Sequence, residues 1–161
     1  MKAHWSSHLP VLVKVLRVTD GPVLELGMGI HSTPFLHWMC AERKRLLVSY
    51  ESKIYYLGIN SCFKNELHQM HLVEDWDKID IEKSWDVAFI DHEAERREID
   101  IKRLANYAKY LVVHDTQTHR KGQRSYGYDD VFPLFKYQRD FTFATAWTSV
   151  LSNFKDLSNL K

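Results

Sequence analysis

Two glycines two residues apart end a short apolar run, Val23-Leu24-Glu25-Leu26-Gly27-Met28-Gly29, and Ile30-His31-Ser32-Thr33-Pro34 follows at once. A turn built on glycine takes positive φ and lets a ligand approach the main chain where any Cβ would block it. With Thr33 as N-cap and Pro34 at the first helical position, the stretch reads as a strand turning sharply into a helix, where a nucleotide-like cofactor lies. Carboxylates follow at the ends of later apolar runs. Glu51 stands 24 residues after Gly27, close to the spacing of about 20 at which an acid reaches both hydroxyls of an unphosphorylated ribose. Asp75 can accept from an exocyclic adenine amine, and Trp76 offers the ring a flat apolar face. His31 in the turn and Asp91 beyond the fourth run complete the candidate cofactor contacts. His92, His114 and His119 are candidate general bases, because an unperturbed imidazole with a pKa of about 6.5 is largely neutral at physiological pH. Asp115 stands beside His114 on a position whose direction the preceding strand sets.

Bringing these groups to one edge requires strands that all end on the same side. The apolar runs starting at Val23, at Leu46 to Tyr50, at Met70 to Val73, at Trp85 to Ile90 and at Tyr110 to Val113 are predicted strands. Helical patterns separate them: Thr33 to about Glu42, Ser52 as a cap to about Glu66, and Glu93 to Ala108 with Ile101, Leu104, Ala105 and Ala108 on one face. A first helix carries Leu9, Leu12, Val13 and Leu16 as its apolar stripe, and Asp20-Gly21-Pro22 ends it. Parallel neighbours need such crossovers, so the expectation is an α/β, Rossmann-like, doubly wound sheet of five parallel strands with helices on both faces. A short helix over Asp129 to Phe135 precedes two strand-like segments, Lys136 to Asp140 and Trp147 to Ser152. Only a few residues join them, which makes them an antiparallel hairpin and brings the total to seven strands.

The 161 residues, 45% of them hydrophobic, suit a single domain over residues 1–161. Lys and Arg number 22 against 21 Asp and Glu, a formal charge of +1 that provides no global field for nucleic acid or an anionic membrane. Cys40 and Cys62 have neither metal-ligand nor disulfide-framework spacing and read as reduced core thiols. No apolar run approaches the roughly 20 residues of a membrane span, and the N-terminus lacks an uninterrupted apolar segment. A cytoplasmic protein is expected.

Taken together, Glu-Leu-Gly-Met-Gly after strand one, Glu51 after strand two, Glu-Asp-Trp after strand three and Asp91-His92 after strand four resemble the class I S-adenosylmethionine-dependent methyltransferases. The likeness runs from Val23 to about Phe154 and includes the terminal hairpin; it departs at the third glycine, where Ser32 or a neighbour stands. It implies that Glu25, Gly27 and Gly29 hold the amino-acid end of the cofactor, Glu51 the ribose and Asp75 the adenine amine. Asp91-His92 together with His114-Asp115 look more like the catechol O-methyltransferase branch. That branch implies a magnesium ion on Asp91 and Asp115 which lowers a hydroxyl's pKa, with Thr116 where the branch usually places asparagine.

The activity so implied is methyl transfer to a small-molecule acceptor, on a hydroxyl. The loop from Thr116 to Tyr128 is expected to be a lid over it, with Arg120, Lys121 and Arg124 for charge, Tyr126 and Tyr128 for flat surface, and Gly122 and Gly127 as hinges. An acidic or aromatic acceptor would suit that loop, and His4, Trp5 and His8 near the first helix are the other residues within reach. Two further readings share the same glycine turn. A nicotinamide-dependent oxidoreductase leaves Glu-Asp-Trp without a role and needs a further catalytic domain, whereas a non-catalytic S-adenosylmethionine-binding module keeps every strand-end acid.

Overall fold

Leu24, Leu26, Ala88, Ile90, Leu111 and Val113 bury one face of a sheet whose opposite face buries Val23, Leu47, Val87, Phe89, Val112 and Val150. Burial on both faces is what crossover helices on both sides impose. In the computed structural model, which describes residues 6–117 and 126–160, the strands are β1 (Val23–Leu26), β2 (Leu47–Glu51), β3 (His68–Leu72), β4 (Trp85–Ile90), β5 (Ala108–His114), β6 (Tyr137–Phe141) and β7 (Thr148–Ser152). They form one seven-stranded sheet in the order β3-β2-β1-β4-β5-β7-β6. The first five are parallel, and β7 runs antiparallel to both β5 and β6. The expected seven-stranded architecture is therefore present, hairpin included.

Helices α1 (Leu9–Arg17) and α2 (Ser32–Glu42) cover the face of Val23 and Phe89, while α4 (Ala94–Leu104) and the short α5 (Tyr128–Val131) cover the other; α3 (Ile54–Asn60) follows β2. Side chains alternate across a strand, so Glu25, Ser49 and His114 share the α1 and α2 side with Val23, Leu47 and Val112. The buried stripe of α1 is Val11, Leu12, Val15 and Leu16, rotated from the predicted one because the helix wedges between α2 and β5; Leu9 and Val13 are only partly covered.

Three other boundaries differ for local reasons. Ser52 does not cap the third helix; its hydroxyl donates to Glu93 Oε1, and the helix stops at Asn60, after which a 3-10 turn leads into the Asn65 side chain. Asn65 Oδ1 accepts from the amides of Leu67 and His68 and so starts β3 two residues early. Likewise α4 ends at Leu104, since the Tyr107 amide closes a turn on the Leu104 carbonyl and β5 begins at Ala108. Cys40 is a buried thiol, but Cys62 is exposed. No helix among the described residues is long and apolar enough to cross a membrane.

Candidate active site

Strand order reverses between β1 and β4, since the chain first builds toward β3 and then returns to build toward β6. A crevice opens there beyond the carboxyl ends of the strands, the usual ligand position in such a sheet. It holds a cavity of about 610 Å³, walled by Met28 and Gly29 of the glycine turn, Glu51, Asp91, His114 and His8.

Gly27 has φ +94°, and a Cβ on it would come within 2.6 Å of the Asp91 carbonyl carbon and the His92 nitrogen. It is glycine because the end of β4 crosses it, not because a ligand does. Gly29 does reach the cavity wall. Thr33 is not the N-cap of α2; His31 occupies that position without a side-chain bond. Instead Thr33 Oγ1 accepts from the Gly29 amide at 3.0 Å and donates to Glu25 Oε1 at 3.0 Å. Ser49 Oγ donates to the other Glu25 oxygen at 2.7 Å.

Glu25 is sealed, with 0% of its surface exposed. Burial pushes its pKa up to about 7, against the pull of the Ser49, Ser32 and Thr33 hydroxyls. The expected direct contact with a cofactor is thus replaced by support of the glycine turn from beneath. A further chain of bonds leads away from it. Because Ser49 donates to Glu25, it must accept from His68 Nε2 at 2.9 Å, and the other nitrogen of His68 then accepts from His37 Nδ1 at 3.1 Å. Burial lowers the pKa of His68 to about 4, and neighbouring His37 adds to that, so the pair is neutral.

Glu51 faces the cavity and binds the turn directly. Its Oε2 accepts from the Met28 amide and its Oε1 from the Lys53 amide, both at 2.8 Å. Each oxygen keeps a second lone pair. Burial raises its pKa, and the two backbone amides oppose that rise.

At the other end of the cavity stands a group that sequence reading missed. Arg97 of α4, within a run of charges that reads as a solvated face, is 6% exposed. Its Nη2 donates to Asp91 Oδ1 at 2.9 Å, its Nε to the His92 carbonyl at 2.8 Å and its Nη1 to the His114 carbonyl at 3.0 Å, while Asp115 Oδ2 lies 3.9 Å away. Burial disfavours its charge, but Tyr128, Asp91 and Asp115 around it keep it firmly protonated. His114 Nδ1 shares Asp91 Oδ1 at 3.2 Å, and its Nε2 meets Ser7 Oγ at 3.0 Å. Burial works against the imidazolium, yet the Asp91 bond and charge outweigh it and raise the pKa of His114. His8 packs edge-on against His114 with ring centroids 4.7 Å apart.

Several predicted residues lie elsewhere. Trp76 is buried 4.5 Å from the His92 ring among Val73, Ile81 and Trp85, so it belongs to the core and offers no face to a ligand. Asp75 starts the turn after β3 by accepting from the Asp77 amide and pairs with Lys78, away from the cavity. His92, by contrast, does line the cavity: its Nε2 is bound to the sealed carboxylate of Asp100 at 2.8 Å, and its Nδ1 has no hydrogen-bond partner, which leaves Nδ1 as the nitrogen that could act as a base. Tyr128 is fully buried, its hydroxyl donating to the His114 carbonyl, so it anchors the loop and is no lid surface. Tyr126 lies over Arg97 at 4.9 Å, and the Thr116 hydroxyl is bonded to Ser149 Oγ, which itself donates to Asp140. His119, Arg120, Lys121, Gly122 and Arg124, like His4 and Trp5, lie outside the described residues.

The fold recurs in solved structures. The cofactor-bound protein Rv0187 from MTB superposes with a TM-score of 0.69 at 14% identity, over 92% of this chain and 80% of that one. The fold is the class I methyltransferase fold. Human methyltransferase-like protein 13 in complex with SAH gives 0.58 at 14% identity, over 92% and 79% of the two chains. Spermidine synthase from Thermotoga maritima gives 0.69 at 14%, over 99% of this chain and 63% of its own. No protein-family model and no curated protein sequence matches the chain. Likeness at these identities concerns the fold, and the chemistry has to come from the residues of the site.

Those residues fit an adenosine-bearing ligand at one end. Glu51 has lone pairs to spare, the Tyr55 and Tyr56 rings flank the opening, and Glu93 Oε2 is a buried acceptor without a hydrogen-bond partner on the cavity wall. They do not fit a magnesium ion held by Asp91 and Asp115. The Arg97 guanidinium lies against both carboxylates, and the other group on Asp91 is the imidazole of His114, where magnesium prefers a shell of oxygens.

Proposed function

We propose that this chain transfers a methyl group from S-adenosylmethionine to a hydroxyl of a small-molecule acceptor. The observation that carries the reading is Glu51, which ties the Met28 amide of the glycine turn to the end of β2 and still faces the cavity. When bound, the cofactor supplies an electrophilic methyl on a sulfonium. Glu51 takes the ribose hydroxyls, and the turn from Met28 to His31 presents bare main chain to the amino-acid end. Tyr55 and Tyr56 offer the adenine a flat apolar surface, and Glu93 Oε2 accepts from its exocyclic amine, the roles expected of Trp76 and Asp75. Arg97 fixes Asp91, His114 and Asp115 at the end where the acceptor enters, and orientation of the two reactants is most of what methyl transfer asks of a protein. A cavity of about 610 Å³ is of small-molecule size, and a formal charge of +1 gives no field for a nucleic-acid acceptor.

Titration calorimetry with S-adenosylmethionine and S-adenosylhomocysteine tests this directly. Both should bind one to one, and Glu51→Ala should weaken both by about tenfold or more, since hydrogen bonds to a charged group are worth roughly 1.5–3 kcal/mol. Binding of a nicotinamide dinucleotide in their place, or unchanged affinity in the variant, would remove the reading.

A further inference from the structure

We infer that His8, Asp91 and His114 form a binding site for a divalent first-row transition-metal ion at the acceptor end of the cavity. The three side chains offer ligand atoms that all lie within 4.8 Å of one another. They come from the turn before α1, the end of β4 and the last residue of β5, so three separate elements converge on one point. His8 is 2% exposed, it lines the cavity, and neither of its ring nitrogens has a hydrogen-bond partner. Leaving two polar nitrogens buried and unpaired is unfavourable, and a ligand that takes one of them explains why the residue is histidine.

The rest of the cluster is set for the same purpose. Arg97 and His114 both engage Oδ1 of Asp91, so Oδ2 carries no such bond. Ser7 holds Nε2 of His114, the outer hydrogen bond that typically orients a ligating imidazole, and Nδ1 faces Asp91. Two imidazoles and one carboxylate favour iron, cobalt, nickel, zinc or manganese over magnesium, whose preference is for oxygen. Three protein ligands leave positions open for an acceptor hydroxyl, whose pKa the ion would lower. That role rests on the methyl-transfer reading; the site itself does not.

The test uses untagged full-length protein stripped with chelator and titrated with cobalt(II), followed by its visible ligand-field bands. One equivalent should bind, zinc(II) should displace it and millimolar magnesium should not. His8→Gln and Asp91→Asn should abolish the bands, and Ser7→Ala, which leaves all three ligands in place, should weaken binding by about tenfold. The paired His37 and His68 serve as a control, since His37→Gln should change nothing. Absence of a stoichiometric band in the wild type, or a band of equal strength in His8→Gln, overturns the site. Should His8→Gln fail to fold, an unaltered titration in Ser7→Ala and Asp91→Asn overturns it equally. Calorimetry of S-adenosylmethionine on the metal-free protein separates the two proposals. Metal binding without cofactor binding leaves the site and removes the reaction, and the reverse removes the site alone.

Discussion

Among single residues, Glu93 and Asp75 divide the sequence expectation from the structure most sharply. Both are acids just past a strand, but Asp75 spends its carboxylate on Asp77 and Lys78, whereas Glu93 keeps a buried oxygen unpaired at the cavity. Glu93→Ala should therefore weaken S-adenosylmethionine by about tenfold, a loss of roughly 1.4 kcal/mol, and Asp75→Ala should leave the affinity unchanged. Isothermal titration of the two variants decides between them, and the opposite result returns the adenine to β3. Glu25 makes a prediction about pH. An acid whose folded pKa is raised keeps its proton when the unfolded chain has lost it, so folding loses stability as pH rises from the ordinary glutamate value of about 4.5 to about 7 and is level above. Denaturant midpoints across that window should fall in the wild type, and Glu25→Gln should remove much of the slope. Equal slopes in the two proteins would mean that the site is wetter than its burial implies.

Elements carry the second set of consequences, with α4 at their centre. Arg97 joins that helix to the ends of β4 and β5 through the His92 and His114 carbonyls, so one side chain positions the last turn of two strands. Arg97→Met preserves most of the bulk but strands Asp91 and Asp115 without their counter-charge. Breaking one partner out of a buried pair costs about 3–5 kcal/mol, and urea unfolding should show a loss of that order at pH 8. It should shrink as pH falls below the ordinary aspartate value of about 3.8, because, against burial, His114 and Arg97 hold the folded pKa of Asp91 below that value. A loss under about 1 kcal/mol would show that water reaches the pair. The strands were legible because an apolar run bounded by polar residues can be little else in a sheet covered on both faces. Helix ends were less so. Ser52 has the residue type of a cap, but its partner Glu93 stands far away in sequence, and no local pattern signals that choice. The Arg97 contacts were hidden for the same reason, since a cation among Glu95, Arg96 and Glu98 looks solvated until the fold turns it inward.

Across the whole molecule, the sheet order follows from how many crossovers the chain makes, and this much the sequence displays: five apolar runs alternating with helical spacing, then a tight hairpin. The strand-end positions of the glycine turn, Glu51, Asp91 and His114 follow from that order, and all of them meet at the cavity. The long-range polar bonds do not follow. Thr33, Glu25, Ser49, His68 and His37 read as unrelated residues, yet they form one unbroken row of hydrogen bonds from the amide of Gly29 across β1, β2 and β3 to α2, where exposed Trp38 lies over the last ring. Every hydrogen in the row from His37 to Ser49 points toward Glu25, the polarity that suits a carboxylate without its proton. A positive charge arriving above the glycine turn favours that ionised form of Glu25. The sulfonium of S-adenosylmethionine carries that charge and the thioether of S-adenosylhomocysteine does not. Binding of the first at pH 7 should therefore release a fraction of a proton, and binding of the second close to none. Calorimetry in buffers of different ionisation enthalpy would read the difference, and identical proton counts for the two ligands would show that the row is only scaffolding. If the counts differ, substrate and product are told apart electrically from beneath the site, and alkaline conditions favour loading of the methyl donor over retention of the spent one.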